Sequence, residues 1–288
     1  MKQEKNIKEK LFLSKILNTF SSIKIVDVGA LMYDDIVPNY QPLIDSNIAE
    51  VIGFEPNEKE LLKLKENFKN HTYLPYAIGD GTKSKFYSTK MPSCSSLLKP
   101  NLSILGDFYD FPEWLEIKEK TNIQTYRLDD ILKDQDIDFI KLDIQGSELT
   151  ALKNGVNTLN KSVVIEVEVE FIQQYENQPL FAEVEIFMRK HGFMFHTFLG
   201  YGTRSIKPIM RDNNVGRGFR QWIWSDAVFI KNLWLAHELS EQKLLKKAII
   251  LNDLYQSYDF AYFALKQCDS RFNTNYADHY KRKLEGFI

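Results

Sequence analysis

Apolar residues Phe12, Leu13, Ile16, Leu17 and Phe20 recur at helical spacing, which predicts an amphipathic helix over residues 1–20. The period then shortens. Residues 23–28 are a β-branched run closing on Asp27-Val28-Gly29-Ala30, and residues 51–54 are a second run closing on Glu55-Pro56-Asn57. Beyond it, Asn57 and Glu60 stand at capping-box spacing and Leu61, Leu62, Leu64 and Phe68 form an apolar stripe, so strand, turn and helix follow one another. The same unit recurs at residues 139–143, followed by Gln145-Gly146-Ser147-Glu148 and the stripe Leu149, Leu152 and Val156. A further copy runs over residues 163–169, with a helix predicted over 182–190.

Strands alternating with helices of about three turns predict βαβ units and a mostly parallel sheet with right-handed crossovers. Two later strand candidates, 193–198 and 226–231, are separated by a long polar, Gly-rich loop instead of a helix, which suits an antiparallel pair at one sheet edge. From about Leu233 the helical period returns with Leu244, Leu245, Ala248 and Ile249 and then Phe260, Phe263 and Leu265. The chain therefore divides into an N-terminal helix (1–20), an α/β domain (21–232) and a C-terminal helical appendage (233–288). An apolar helical face must be buried, so the appendage either covers the ligand site, pairs two subunits as a homodimer, or completes its own small core.

The 288 residues allow one sizeable core plus an appendage. A net charge of −2 offers no strong field, so neither nucleic acid nor a membrane is expected as partner. Residues 1–10 are rich in Lys and Glu, and no apolar run reaches the roughly 18 residues of a membrane span, so no leader or anchor is expected. Cys94 and Cys268 lack the C-x-x-C spacing of a zinc or redox site, and reduced thiols in a cytoplasm are the simplest reading.

In an open parallel sheet, ligands bind beyond the carboxyl ends of the strands. Acids stand at those ends here: Asp27, Glu55, Asp80 in Ala77-Ile78-Gly79-Asp80, and Asp143. Gly29 lets backbone approach a ligand closely, but Ala30, Leu31, Met32 and Tyr33 follow it where a dinucleotide site needs the glycines of G-x-G-x-x-G. An NAD-dependent oxidoreductase or epimerase is thereby disfavoured and remains the competing enzyme reading. Glu55 suits a ribose, because a carboxylate can accept from two neighbouring hydroxyls at once, although an acid after an apolar strand also serves as a helix cap. Lys141 and Asp143 interrupt an apolar strand, a placement that asks for an ion pair or a functional site, and Glu148 fits either a site or the first turn of a helix.

Together these residues resemble the FkbM-type methyltransferases, a branch of the class I enzymes that use S-adenosylmethionine. The resemblance runs over residues 23–231. It is carried by Val26-Asp27-Val28-Gly29-Ala30, Phe54-Glu55-Pro56, Ala77-Ile78-Gly79-Asp80, Ser95-Ser96-Leu97, Leu128-Asp129-Asp130, the block from Asp138 to Glu148, and Ser225-Asp226-Ala227-Val228-Phe229. It implies a Rossmann-like sheet with S-adenosylmethionine as cofactor. Asp27, Gly29 and Ala30 would lie against the methionine portion, Glu55 with Pro56 and Asn57 at the ribose, and Ala77, Ile78 and Asp80 beside the adenine. It also implies that Asp143, Gln145 and Glu148 face the reacting centre. A second glycine usually follows the first-strand loop in the family, whereas residues 31–35 here contain none.

Methyl transfer needs an acceptor lone pair aligned about 3 to 3.5 Å behind the methyl group and water kept out. A hydroxyl acceptor also needs a base, for which Asp143, Glu148 and His196 are the candidates, and metal independence is expected. Acceptor recognition falls to the insertions over 91–116 and 200–224, where Ser95, Ser96, Arg217, Arg220 and Trp222 are the substrate-binding candidates. Aromatic faces and guanidinium groups together suit a sugar, anionic or nucleotide-linked, although such loops are also commonly just solvated. FkbM-type enzymes act mostly on hydroxyls of sugars and other natural products, so the resemblance implies O-methylation. A non-catalytic interaction module is the remaining alternative.

Overall fold

A computed structural model describes residues 11–17, 19–31, 37–235 and 238–287. Ten strands run in chain order: β1 Ile23–Val28, β2 Ala49–Phe54, β3 Thr72–Leu74, β4 Ala77–Ile78, β5 Lys83–Thr89, β6 Ile117–Tyr126, β7 Phe139–Leu142, β8 Val164–Glu170, β9 Phe193–Phe198 and β10 Trp224–Lys231. Seven of them form one sheet in the order β3-β2-β1-β7-β8-β10-β9. β2 with β3, β1 with β7, and β7 with β8 pair parallel, while β10 is antiparallel to both β8 and β9. This is the expected mostly parallel α/β sheet with antiparallel edge pairing.

The central strands are buried on both faces, which is why they read as near-continuous apolar runs. Val26, Val28, Ile140, Leu142, Ile165, Val167 and Phe229 belong to one core cluster and are each at most 1% exposed. Charged residues enter these strands side by side: Asp27 is in register with Lys141, and Lys141 with Glu166. Burial works against the charge on Lys141, but Asp143, Asp27, Glu166 and Asp226 outweigh it and hold the ammonium above its usual range.

A second sheet, in the order β4-β6-β5, was not foreseen. Its long strands β5 and β6 pair antiparallel from Lys83–Gln124 to Thr89–Ile117. β6 is mostly exposed, so it carries no apolar alternation, and cross-strand backbone bonds define it instead.

The chain separates into two compact units, residues 24–36 with 50–235, and residues 1–23 with 37–49 and 236–288. The second unit differs from expectation at its start. In place of a helix over residues 1–20, the described residues contain a 3-10 turn, Leu13–Lys15, and residues 1–10 lie outside the described ones. The carboxylate of Asp253 explains the turn, because Oδ1 accepts from the Leu13 amide at 2.7 Å and Oδ2 from the Ser14 amide at 3.3 Å. The remainder of this unit includes helices Gln41–Asp45, Glu241–Asp253, Tyr258–Phe272 and Tyr276–Glu285. Leu244, Leu245, Ala248, Ile249 and Leu265 are fully buried, as the apolar spacing requires.

Candidate functional site

A cavity of about 400 Å³ opens beyond the carboxyl ends of β1, β2 and β7. Its floor is the turn after β1, where Gly29 has φ +87°. A Cβ there would stand 2.0 Å from the carbonyl oxygen of Asp143, so only glycine lets the loops after β1 and β7 touch. Backbone bonds fix that contact: the Asp143 amide donates to Val28 O at 3.0 Å, and the Gly29 and Ala30 amides both donate to Phe54 O at 3.1 Å.

At the end of β2 the carboxylate of Glu55 is 6% exposed. Its Oε1 accepts from the Asn57 amide at 2.6 Å, which holds the side chain over the turn. Burial, reinforced by Glu60 and Asp27, pushes this carboxyl up to about 7 despite that bond. Asn57 in turn caps the helix Glu58–Asn67, its Oδ1 accepting from the Lys59 and Glu60 amides at 3.0 and 3.3 Å. Glu60 turns toward the cavity and lines it.

The loop after β7 carries Gln145 and Gly146 at φ +55° and +99°. Side chains from several elements hold it. Glu148 Oε1 accepts from the Ile144 and Gly146 amides at 2.8 and 3.1 Å, and the Ser96 hydroxyl donates to Gln145 O at 2.6 Å. The Gln145 side chain donates to Asp143 Oδ1 at 3.0 Å and to Glu168 Oε2 at 2.7 Å, while its Oε1 accepts from the Tyr175 hydroxyl at 3.0 Å. Burial acts to raise Asp143, but Lys141, 3.6 Å away, and the Gln145 bond overcome it and keep the carboxyl below its ordinary value. Glu148, beside it and without a cation, is pushed up to about 7 by burial first, with the charge of Asp143 adding.

The opposite wall comes from β5, β6 and the segment after β5. Six hydroxyl-bearing residues, Ser88, Thr89, Ser93, Ser95, Ser96 and Thr121, line it together with Phe86 and Ile123, although the Thr89 and Ser96 hydroxyls donate to the Met91 and Gln145 carbonyls. Glu55, Glu60 and Asp143 are the cavity's carboxylates, and among the described residues that line it there is no Lys, Arg or His. Such a surface attracts cations and hydroxyl-rich groups and repels a pyrophosphate.

The structure thus brings together at one cavity Gly29, Glu55, Pro56, Asn57, Ala77, Ile78, Ser95, Ser96, Asp143 and Gln145. Other residues singled out from the sequence do not line it. Asp27 sits behind the β1 turn, 3.9 Å from Lys141, and Ala30 packs with Leu61, Leu64 and Tyr73. The Asp80 carboxylate folds back onto its own turn, accepting from the Thr82 amide at 2.9 Å and the Thr82 hydroxyl at 2.7 Å. Glu148 does not line the cavity, and its Oε1 accepts from the two loop amides. His196 lies on the edge strand β9, three places from β7 in the sheet. Arg217 pairs with Asp212 at 3.2 Å, Arg220 is exposed, and Trp222 stacks on Tyr201 at 4.5 Å. Residues 32–35 of the glycine-free loop lie outside the described ones. Sequence reading missed Glu60, Tyr76 and the β5–β6 wall, of which only the capping-box spacing of Glu60 gave a signal.

Residues 28–195, more than half of the chain, match the Methyltransferase FkbM domain family. No curated protein matches the sequence. Among solved structures, the chain is similar to a TehB-like SAM-dependent methyltransferase from Corynebacterium glutamicum, at 11% identity, TM-score 0.34, over 76% of this chain and 85% of that one. It is similar also to the magnesium protoporphyrin IX methyltransferase of Synechocystis with bound SAM, at 13% identity, TM-score 0.35, over 72% and 70% of the two chains. A SAM-dependent methyltransferase from Aquifex aeolicus gives 13% identity and TM-score 0.31 over 76% and 90%.

Proposed function

The chain belongs to the FkbM methyltransferase family, and from that premise we propose that it O-methylates a hydroxyl of a neutral, sugar-like acceptor. S-adenosylmethionine is the methyl donor. The cavity fits this cofactor on the chemistry of its lining: a buried carboxylate for a ribose, an acidic surface for a cation, and, among the described residues, no cationic side chain of the kind that holds a pyrophosphate.

In this reading Glu55 accepts from the ribose hydroxyls, held in place by the Asn57 amide, while Ala77 and Ile78 offer an apolar seat to the base. Gly29 leaves the floor open where a side chain would fill it. The cofactor when bound supplies an electrophilic methyl group on a sulfonium. The protein's own work is positioning and the exclusion of water, because the electrophile needs no further activation. Ser95 and Thr121 orient the acceptor on the hydroxyl-bearing wall, while the Ser96 hydroxyl holds the Gln145 carbonyl beside it. Asp143, ionised and facing the cavity, takes the hydroxyl proton as the oxygen forms its new bond; its low pKa makes it a weak base, so alignment dominates.

The observation that carries the acceptor class is the wall of hydroxyls without a cation. Arg217, Arg220 and Trp222, which had suggested an anionic sugar, are not among the described residues that line the cavity, and this supports a neutral acceptor. Cys94 and Cys268 are both free thiols, which suits a reducing compartment such as the cytoplasm. No helix among the described residues is long and apolar enough to cross a membrane.

The test is calorimetric titration with S-adenosylhomocysteine and with NAD, followed by transfer of labelled methyl to matched neutral, uronic and phosphorylated sugars. Micromolar binding of S-adenosylhomocysteine, weakened tenfold or more by Glu55→Ala, with transfer to neutral sugars is the expected result. Binding of NAD alone, or transfer confined to anionic sugars, overturns it.

A further inference from the structure

The connection between β9 and β10, residues 200–224, is left without a role in methyl transfer. β9 runs parallel to β8, since both pair antiparallel with β10, so the connection leaves the sheet at the end where the cavity opens. Its base is firmly built. The Arg204 guanidinium lies 4.7 Å from the ring centre of Trp114 and 5.3 Å from that of Trp224 and pairs with Asp110 at 3.4 Å. The Ser205 carbonyl accepts from the Tyr109 amide at 3.1 Å, and the Thr203 hydroxyl donates to Gly216 O at 3.0 Å.

On this fixed base the outer residues point apolar groups into water. Ile206, Ile209 and Phe219 are 52%, 61% and 56% exposed, and Trp222, 37% exposed, stacks on Tyr201, 61% exposed. Lys207, Arg217 and Arg220 are exposed among them. The connection has five basic residues against the single acid Asp212, a local charge of +4 on a chain whose net charge is −2. A protein surface seldom holds so many outward aliphatic and aromatic tips within one connection without a partner.

The chemistry of the tips selects the partner. Ile206 and Ile209 cannot stack on bases, as a single-stranded nucleic acid would require. A protein interface is depleted of lysine, which here stands exposed between Ile206 and Ile209. Apolar tips interleaved with cations and flanked by Trp and Tyr match the boundary of an anionic bilayer, where acyl chains meet phosphates. We propose that the 200–224 connection docks the protein on an anionic lipid bilayer. Ile206, Ile209 and Phe219 enter the acyl boundary, Lys207, Arg217 and Arg220 meet phosphates, and the cavity end of the sheet faces the membrane. Net charge over the whole chain hides this surface, because the basic excess is local.

The proposal is independent of the acceptor and is tested without activity. The full chain is sedimented with vesicles of phosphatidylcholine alone and of phosphatidylcholine with phosphatidylglycerol, at low and high salt. Binding is expected on the phosphatidylglycerol vesicles, reduced by salt, and weakened about fivefold by either Arg217→Ala or Arg220→Ala. Ile209→Asp with Phe219→Asp should weaken it at least tenfold. Leu62→Asp, at a residue 55% exposed on the helix Glu58–Asn67, should leave it unchanged. All these side chains are exposed, and a thermal melt of each variant checks that it is folded. Failure to bind phosphatidylglycerol vesicles, equal binding to both vesicle types, retention of full binding in the loop variants, or binding of RNA without vesicle binding would each overturn the proposal.

Discussion

Replacing Glu55 by Gln separates the cofactor contact proposed for this carboxylate from what it does to the fold. The side chain is 6% exposed and its pKa stands at about 7, against 4.5 for an ordinary Glu. Burial is the main cause, so the folded state holds the proton more tightly than the unfolded state does. Between pH 4.5 and 7 the native protein therefore binds more protons, and stability falls as pH rises through that window and then levels off. The shift of about 2.5 pH units corresponds to at most about 3 kcal/mol, because each unit is worth about 1.4 kcal/mol. A glutamine side chain at this position would carry no charge, and its amide oxygen can still accept from the Asn57 amide. Glu55→Gln should thus match the wild type near pH 4 and exceed it by up to about 3 kcal/mol at pH 8, while binding S-adenosylhomocysteine more weakly. Urea unfolding of both proteins from pH 4 to 8, with calorimetry at pH 8, measures the two effects. A variant that is less stable than the wild type at pH 8, or whose stability difference does not change with pH, would refute the reasoning.

Three further substitutions probe the same site. Gly29→Ala places a Cβ 2.0 Å from Asp143 O at φ +87°, so it should cost at least about 2 kcal/mol in urea unfolding and abolish cofactor binding by calorimetry. Tyr175→Phe removes the hydroxyl shared by Gln145 Oε1 at 3.0 Å and Cys94 O at 2.8 Å. It should cost about 1 to 3 kcal/mol in the same assay, and in steady-state kinetics it should lower kcat more than it raises KM for the cofactor, because Gln145 borders the cavity. Lys141→Met leaves Asp27, Asp143 and Glu166 without their shared cation and should cost about 3 to 5 kcal/mol near neutral pH. The deficit should shrink as pH falls and those carboxyls take up protons; a thermal melt series that shows the same deficit at pH 5 and pH 8 would count against the ion-pair reading.

The sheet was legible because β1, β7 and β8 are buried on both faces and so spell continuous apolar runs, with helices between them at a different period. β5 and β6 obeyed neither pattern. Lys118, Glu119 and Lys120 are exposed in β6, which is held by its ladder to β5, and a ladder has no residue-level signature. The N-terminal segment failed for a different reason. Leu13 and Leu17 are buried as their spacing suggests, but Asp253, some 240 positions along the chain, takes the amides that begin the turn. Local period reports which side is buried and cannot report a capping group so far away in sequence.

At the site, the same limit applies to oxygens instead of amides. Glu55, Asp143 and Glu148 look alike in the sequence, each an acid beyond a strand. Glu148 is consumed by the amides of Ile144 and Gly146, whereas Glu55 and Asp143 reach the cavity. Which acid serves the fold and which serves a ligand depends on how many partners each oxygen already has, and that count exists only once the loops are closed. Charge averages even less faithfully. A net −2 conceals three carboxylates lining the cavity and a connection of +4 that leaves the sheet at the same end. The basic residues drew the sequence reading toward an anionic acceptor because they lie in an acceptor-loop position. In the fold Lys207, Arg211, Arg217 and Arg220 are exposed and none of them lines the cavity, so a charge count cannot tell a ligand site from an outer surface.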